Sequence, residues 1–255
     1  MKIAVITGAS SGIGREFARQ IGHFYQTLNE IWVIARRKEV LDTLSSEVNV
    51  PVRVISGDLM KEEIYKRLVQ LLKTEKPDIR MLVNAAGFGK SGTIEEIYRN
   101  DAKSQMQMID LNCKALTRMT LTCLPYMSVG SRILNLASAA AFCPQPGFAV
   151  YAATKSYVLS FSRALGAEVK QKSIYVTAVC PGPVDTAFFE VSGPTDSRLK
   201  EKVMVKAPQV VRRALLDARA RKAVSVYGIP MKGAQIAAKL LPHTLVLRLE
   251  RIGKN

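Results

Sequence analysis

Histidine is almost missing from this chain: His23 and His243 are the only two, far apart, so a zinc centre built on imidazole has no partners. The four cysteines, Cys113, Cys123, Cys143 and Cys180, form no CxxC pair and have no neighbouring histidine at ligand spacing. They are expected to be reduced, mostly buried thiols, and no metal site is expected. No apolar run approaches the ~18 residues that a membrane-crossing helix needs. The opening "IAVITGAS" is too short for the core of a secretory signal. A soluble, cytoplasmic protein is the expectation.

Acidic side chains are also scarce. Lys and Arg total 37 against 21 Asp and Glu, a formal charge of +16. From Arg198 onward there are 14 cations and 3 carboxylates. Such a surplus suits nucleic acid, an anionic membrane or an anionic substrate, or a basic face that only aids solubility. Charge does not choose among these. Hydrophobic residues make up 48% of the 255 positions, enough for a large core.

Short apolar runs alternate with longer helical patterns. Strands are predicted at Ile3–Ile6, Ile31–Ala35, Val52–Ser56, Met81–Asn84, Arg132–Leu136, Tyr175–Val179 and Ala223–Tyr227. Helices are predicted at Gly14–His23, Lys38–Ser46, Lys61–Glu75, Ala102–Met127, Tyr151–Lys172 and Pro208–Arg221. This alternation predicts an α/β fold, a doubly wound parallel sheet with helices on both faces. With no repeat and no linker, residues 1–255 read as one domain. The irregular segment 181–207 follows a strand, so it is a candidate lid over substrate.

The first strand runs into "TGASSGIG", with Gly8, Ser10, Ser11, Gly12, Ile13 and Gly14. Its spacing is G-x-x-x-G-x-G. Glycines allow close approach to a pyrophosphate, and the N–H groups of a helix start favour negative charge. Counting 21 residues from Gly14 reaches Ala35, followed by Arg36 and Arg37. An NAD site places a carboxylate near there to hold the ribose 2′-OH. Guanidinium groups instead suit a 2′-phosphate, so NADP(H) is preferred over NAD(H), with Arg36 ahead of Arg37. The alternative is a solvated pair at a helix start. Asp58 and Leu59 in "SGDL" lie where adenine is expected; Asn84, Ala85 and Gly87 in "NAAG" lie where a ribose is expected.

"YAATK" sets Tyr151 and Lys155 four apart on one helix face. A nearby cation favours phenolate, so such a tyrosine can exchange a proton with a carbonyl or alcohol oxygen. Ser138 follows a strand and is placed to hydrogen-bond a substrate oxygen. Asn112 sits among apolar residues in a long helix, either as a functional group or as a solvent-facing one.

In this order and spacing, "TGASSGIG", "NAAG", Asn112, Ser138, "YAATK" and "PGPVDT" resemble the short-chain dehydrogenase/reductase family over about residues 1–190. The resemblance implies a single Rossmann-like domain of seven parallel strands and a catalytic tetrad of Asn112, Ser138, Tyr151 and Lys155. It implies that Tyr151 is the acid/base, that Lys155 lowers its pKa and binds the nicotinamide ribose, that Ser138 positions the carbonyl and that Asn112 holds a water. It further places Pro181, Gly182, Val184 and Thr186 at the nicotinamide end, and implies a homo-oligomer, dimer or tetramer, paired through the helices at Ala102–Met127 and Tyr151–Lys172. The basic residue that many NADP-dependent members carry before the second glycine is replaced here by Ser11, so the cofactor preference rests on the two arginines.

"AAFCPQPGFAVYAATK" and the ending "KLLPHTLVLRLERIGKN" are similar to hydroxysteroid and long-chain 3-ketoacyl reductases, which implies a hydrophobic ketone or alcohol such as a hydroxysteroid. Reduction of 3-oxoacyl thioesters or small ketones is the alternative. An NADP-binding regulator or RNA-binding protein is a third class, disfavoured by the intact tetrad; no nucleic-acid partner is expected. The basic, amphipathic extension 228–255 is expected to pack on the body or on a second subunit, with peripheral membrane contact as the alternative.

Overall fold

The computed structural model describes residues 1–188 and 204–252, the last four of these by backbone alone. Seven strands form a parallel sheet: β1 (Lys2–Thr7), β2 (Glu30–Ala35), β3 (Val52–Ser56), β4 (Asp78–Asn84), β5 (Arg132–Leu136), β6 (Tyr175–Val179) and β9 (Val224–Ser225). Their order is β3-β2-β1-β4-β5-β6-β9. Two further short strands, β7 (Val184–Asp185) and β8 (Val205–Lys206), pair in parallel outside it.

Alternation along β1 explains why its run is apolar throughout. Ala4 and Ile6 face the layer that contains Phe17 and Ile21 of α1 (Gly12–Phe24) and Val211 and Leu215 of α7 (Ala207–Arg219). Ile3 and Val5 point the other way, into a core with Leu68 of α3 (Glu62–Glu75), Met119 of α5 (Leu116–Cys123) and Leu165 of α6 (Ala149–Glu168). Both faces are covered, so every position must be apolar. The sheet is a Rossmann-like α/β arrangement.

The chain lays down β1, β2 and β3 in one direction, then returns to place β4 on the other side of β1. Beyond the carboxyl ends of β1 and β4 the connections therefore diverge, leaving a crevice. One side chain ties its floor. Thr7 Oγ1 accepts from the Ala85 and Ala86 amides at 3.1 and 3.2 Å and contacts the Val83 carbonyl at 3.4 Å. A Cβ on Gly8, whose φ is +70°, would lie 2.7 Å from the Ala86 nitrogen. The first loop and the "NAAG" loop touch with no room for a side chain between them.

Several predicted elements differ in detail. The helix expected from Ala102 starts earlier, as α4 (Ile94–Ile109), under a capping box in which Thr93 and Glu96 satisfy each other's amides. It is broken at Asp101 (φ −162°, ψ 57°), with Ile94, Ile97 and Tyr98 at helical spacing before the break. The same expected helix then passes through a π turn at Asp110–Ala115, α5, and a 3₁₀ turn at Leu124–Tyr126 that includes Pro125. After β2, α2 (Lys38–Asp42) gives way to a 3₁₀ turn at Thr43–Ser46. The last strand is confined to Val224–Ser225.

Segment 181–207 is described only at its ends, where β7 and β8 pair; residues 189–203 of the expected lid lie outside the described residues. The C-terminal extension forms α8 (Ile229–Leu240) and α9 (His243–Ile252). Helix α8 meets the body through Met231, which packs against the cluster of Cys180 and Val226, and has no fully buried residue. Among the described residues no helix is long and apolar enough to cross a membrane.

The Thr7 tie has a measurable consequence. Thr7→Val removes the hydroxyl but keeps the shape, leaving two amides without their acceptor, and should cost about 2 kcal/mol in urea unfolding. Thr7→Ser should recover most of that loss. A Thr7→Val protein as stable as wild type would overturn the tie.

Candidate active site

The phosphate-type loop joins β1 to α1. Gly12 has φ +53°, and a Cβ on Gly14 would lie 2.3 Å from the Gly8 carbonyl oxygen. Ser11 caps α1 without a side-chain hydrogen bond, and no carboxylate occupies the first turn. The first amides of α1 are therefore not taken up by a side-chain cap, as an anion site requires. Ile13 packs against Val184, and a Cβ on Gly12 would meet Thr186 at 3.4 Å. "PGPVDT" thus closes over the glycine loop from the far side of the crevice. The Pro181 carbonyl accepts from Ala139 N at 2.8 Å, and Gly182 lies against Met231 of α8.

At the end of β2, Arg37 reaches the loop: its Nη2 lies 3.3 Å from Ser10 Oγ and 3.4 Å from the Ser10 carbonyl. Arg36 is exposed and has no hydrogen-bond or ion-pair partner among the described residues. Of the two arginines, Arg37 is therefore the one that touches the glycine loop. Asp58 forms an Asx turn, accepting from Met60 N at 2.9 Å, and Leu59 is buried with its carbonyl bonded to the Tyr65 hydroxyl.

Asn84 turns its side chain away from the crevice. Its Nδ2 donates to Thr120 Oγ1 at 3.0 Å and to Asn135 Oδ1 at 2.9 Å, so its side chain ties β4 to α5 and β5 rather than facing the crevice. Its Oδ1 is buried with no partner among the described residues. The small residues Ala85 and Gly87 remain at the crevice. A Cβ on Gly87 would stand 2.8 Å from Asn112 Oδ1 and 3.5 Å from Lys155 Nζ.

The four polar groups singled out from sequence converge at this point. Tyr151 and Lys155 share a face of α6, with Nζ 5.6 Å from the phenol ring centre. Lys155 Nζ donates to the Leu136 carbonyl at 2.8 Å, two residues before Ser138. Ser138 Oγ accepts from Ala140 N at 3.1 Å and hydrogen-bonds Tyr151. Asn112, only 1% exposed, lies in the π turn rather than on a solvent face. It grips Phe88 at both backbone atoms, N–H to Oδ1 at 3.1 Å and Nδ2 to the carbonyl at 2.9 Å, and donates to Thr154 Oγ1 at 3.1 Å.

Electrostatics here are ruled by burial. Tyr151 is 7% exposed and its phenol is pushed up to about 12, against a smaller downward pull from the Ser138 hydrogen bond. Burial draws Lys155 down to about 8; the sulfurs of Cys113 and Cys180 are the opposing influence. Those thiols are themselves raised by burial to about 11 and about 12, so at neutral pH they are uncharged and do little to hold the lysine proton.

Sequence reasoning missed the aromatic surround. Phe148, three residues before Tyr151 on the same helical path, has its ring centre 4.3 Å away, and Phe188 lies at 5.5 Å. Helical spacing would have revealed Phe148; nothing in the sequence announces Phe188. A Cβ on Gly89 would touch both phenylalanines and Tyr151, so that position must stay bare. Among the described residues no cluster of His, Cys, Asp or Glu could hold a metal ion.

Known proteins share this design. The sequence pattern of the family described as short chain dehydrogenase matches residues 2–196. An uncharacterized oxidoreductase of Staphylococcus epidermidis is 31% identical over 191 residues, 74% of this chain and 80% of that one. The very-long-chain 3-oxoacyl-CoA reductase of Anas platyrhynchos is 35% identical over 212 residues, 80% of this chain and 66% of its own. The 17-beta-hydroxysteroid dehydrogenase type 3 of Mus musculus is 30% identical over 218 residues, 83% and 67% of the two chains. Among solved structures, a short-chain dehydrogenase from Sphingobium yanoikuyae in complex with NADPH superimposes with a TM-score of 0.78 at 27% identity, covering 95% of this chain and 97% of that one. With its seven-stranded sheet and this match over three quarters of its length, the chain belongs to the short chain dehydrogenase family of oxidoreductases.

Proposed function

We propose that the protein is an NADP(H)-dependent oxidoreductase that interconverts an apolar ketone and its secondary alcohol. The carrying observation is the convergence of Ser138, Tyr151, Lys155 and Asn112 at the crevice mouth, inside a surround of phenylalanines. The amides at the start of α1 suit the pyrophosphate, with Thr186 facing them, and Arg37 beside Ser10 suits a 2′-phosphate. A bound nicotinamide supplies the hydride to the carbonyl carbon.

The remaining steps belong to this chain. Ser138 hydrogen-bonds the carbonyl oxygen, and Tyr151 Oη gives that oxygen its proton as the hydride arrives. A phenol at about 12 is fully protonated at neutral pH, which suits reduction. Lys155, charged below about 8, stabilises the phenolate left behind. Both amide hydrogens of Asn112 are committed to Phe88 and Thr154, so one Oδ1 lone pair remains for the relay water that the family resemblance implies. Its stronger role is to hold Phe88 in place.

Phe88, Phe148 and Phe188 favour an apolar substrate body, with segment 181–207 as its cover. A hydroxysteroid-type ketone fits this reading, and the likeness to 17-beta-hydroxysteroid dehydrogenase type 3 supports it. Reduction of 3-oxoacyl thioesters is the second reading, favoured by the 35% identity to a very-long-chain 3-oxoacyl-CoA reductase. Exposed Ile109, Leu121 and Tyr157 support pairing of subunits through α4, α5 and α6.

Three measurements test this. With NADPH and a panel of steroid, acyl-thioester and small ketones, Tyr151→Phe should lower turnover by roughly 10²–10⁴-fold while NADPH still binds. Equal turnover of the two proteins, or none from wild type on any ketone, would return the fold to a binding role. Arg37→Ala should raise the KM for NADPH about tenfold and leave that for NADH nearly unchanged, a loss of one charge-assisted contact. Arg36→Ala should do less, and the reverse ranking would refute the geometry. Finally, kcat/KM for reduction should fall as pH rises through about 8, where Lys155 gives up its proton. A flat profile from pH ~7 to ~10 would remove the lysine charge from the mechanism.

A further inference from the structure

The reaction leaves α8 and the start of α9 without a task. Half-buried Met231, Gln235 and Ala238 recur at helical spacing and mark the side of α8 that faces the body. The opposite side carries Ile229, Ile236 and Leu240, which are 86%, 59% and 77% exposed, with Lys232 and Lys239 among them. Leu241, Leu245 and Arg248 extend the same mixture and are exposed too. Helix α9 does not seal a core: beneath it lies a groove of about 450 Å³, lined by Phe142, Pro144, Ala149, Ala153, His243 and Leu247. No Asp or Glu occurs between Asp217 and Glu250.

We infer that this face docks on an anionic lipid surface, with Ile229, Ile236, Leu240 and Leu245 entering the head-group boundary and Lys232, Lys239 and Arg248 meeting lipid phosphates. Apolar side chains projecting between cations, with no carboxylate among them, match that surface in both respects. A second copy of the chain matches it poorly. A two-fold contact would set the patch against itself, lysine facing lysine as water is excluded, with no acidic group to relieve the repulsion. Nucleic acid would satisfy the cations but leave the isoleucines and leucines in water, with no aromatic ring among them for a base to stack on. None of the residues placed at the reaction centre takes part, so this contact stands or falls independently of the reductase reading.

Vesicle flotation of the full chain tests it. Wild type should float with vesicles of phosphatidylcholine mixed with phosphatidylglycerol, not with phosphatidylcholine alone, and salt should release it. Lys232→Gln/Lys239→Gln should weaken binding about thirtyfold. Ile229→Ser/Ile236→Ser/Leu240→Ser should abolish it. Both variants should keep the wild-type melting temperature, elution volume and NADPH oxidation rate with a water-soluble ketone. Absence of flotation, equal flotation with neutral vesicles, or binding unchanged in either variant would overturn the inference. So would a collapsed melting temperature, which would mean that α8 packs on the body, or a shift of the triple-serine variant to a smaller oligomer, which would make the face a subunit contact.

Discussion

The rest of the structure depends on the contact between two loops, "TG" after β1 and "NAAG" after β4. Backbone reaches backbone there, with Thr7 Oγ1 answering two amides and Gly8 passing where no Cβ fits. That contact fixes how far the sheet opens at its switch point. From it follow the position of the glycine turn above β1 and the path of Gly87 past Asn112 and Lys155. A looser junction would let the anion-binding turn and the proton-transfer groups drift apart, and reacting atoms tolerate little misplacement.

The second constraint is desolvation. Placing a phenol and an ammonium in a nearly closed apolar site pushes each toward its neutral form, the tyrosine up and the lysine down. The same phenylalanines that impose this cost keep water from the space around the phenol, where hydrogen bonds are stronger than in solvent.

Much of this was legible in the sequence because the signals are local. A strand covered on both faces is apolar at most of its positions, so the main-sheet strands declare themselves as short runs of Val, Ile and Leu. What was not legible has physical reasons. The strand's alternation turns the Asn84 side chain into the sheet, where Thr120 and Asn135 await it, and no local signal names those partners. The α4 start was announced by the Thr93–Glu96 capping box and by Ile94, Ile97 and Tyr98 at helical spacing, ahead of the break at Asp101. Phe188 approaches Tyr151 only through the tertiary path of "PGPVDT". Propensity cannot convey that, and pKa direction even less, since burial is a property of the folded chain.

Charge placement separates Arg37 from the other cations near the glycine turn. Arg15 and Arg19 lie on α1, close behind the glycine turn, and would compete for any phosphate bound there. Both are held by Glu47, whose carboxyl is drawn below its ordinary range chiefly by hydrogen bonding from Arg15, with Arg19 adding to it. Arg53 is similarly held between Glu30 and Glu75, and Asp217 takes up Arg213 and Lys222. Several of the scarce carboxylates thus sit on cations that the fold partly buries. Ala35 leaves no acid at the end of β2, so Arg37 keeps its charge available beside Ser10. The overall surplus of +16 is therefore uneven: offset by carboxylates around α1 and the sheet edge, with no acidic residue at all between Asp217 and Glu250.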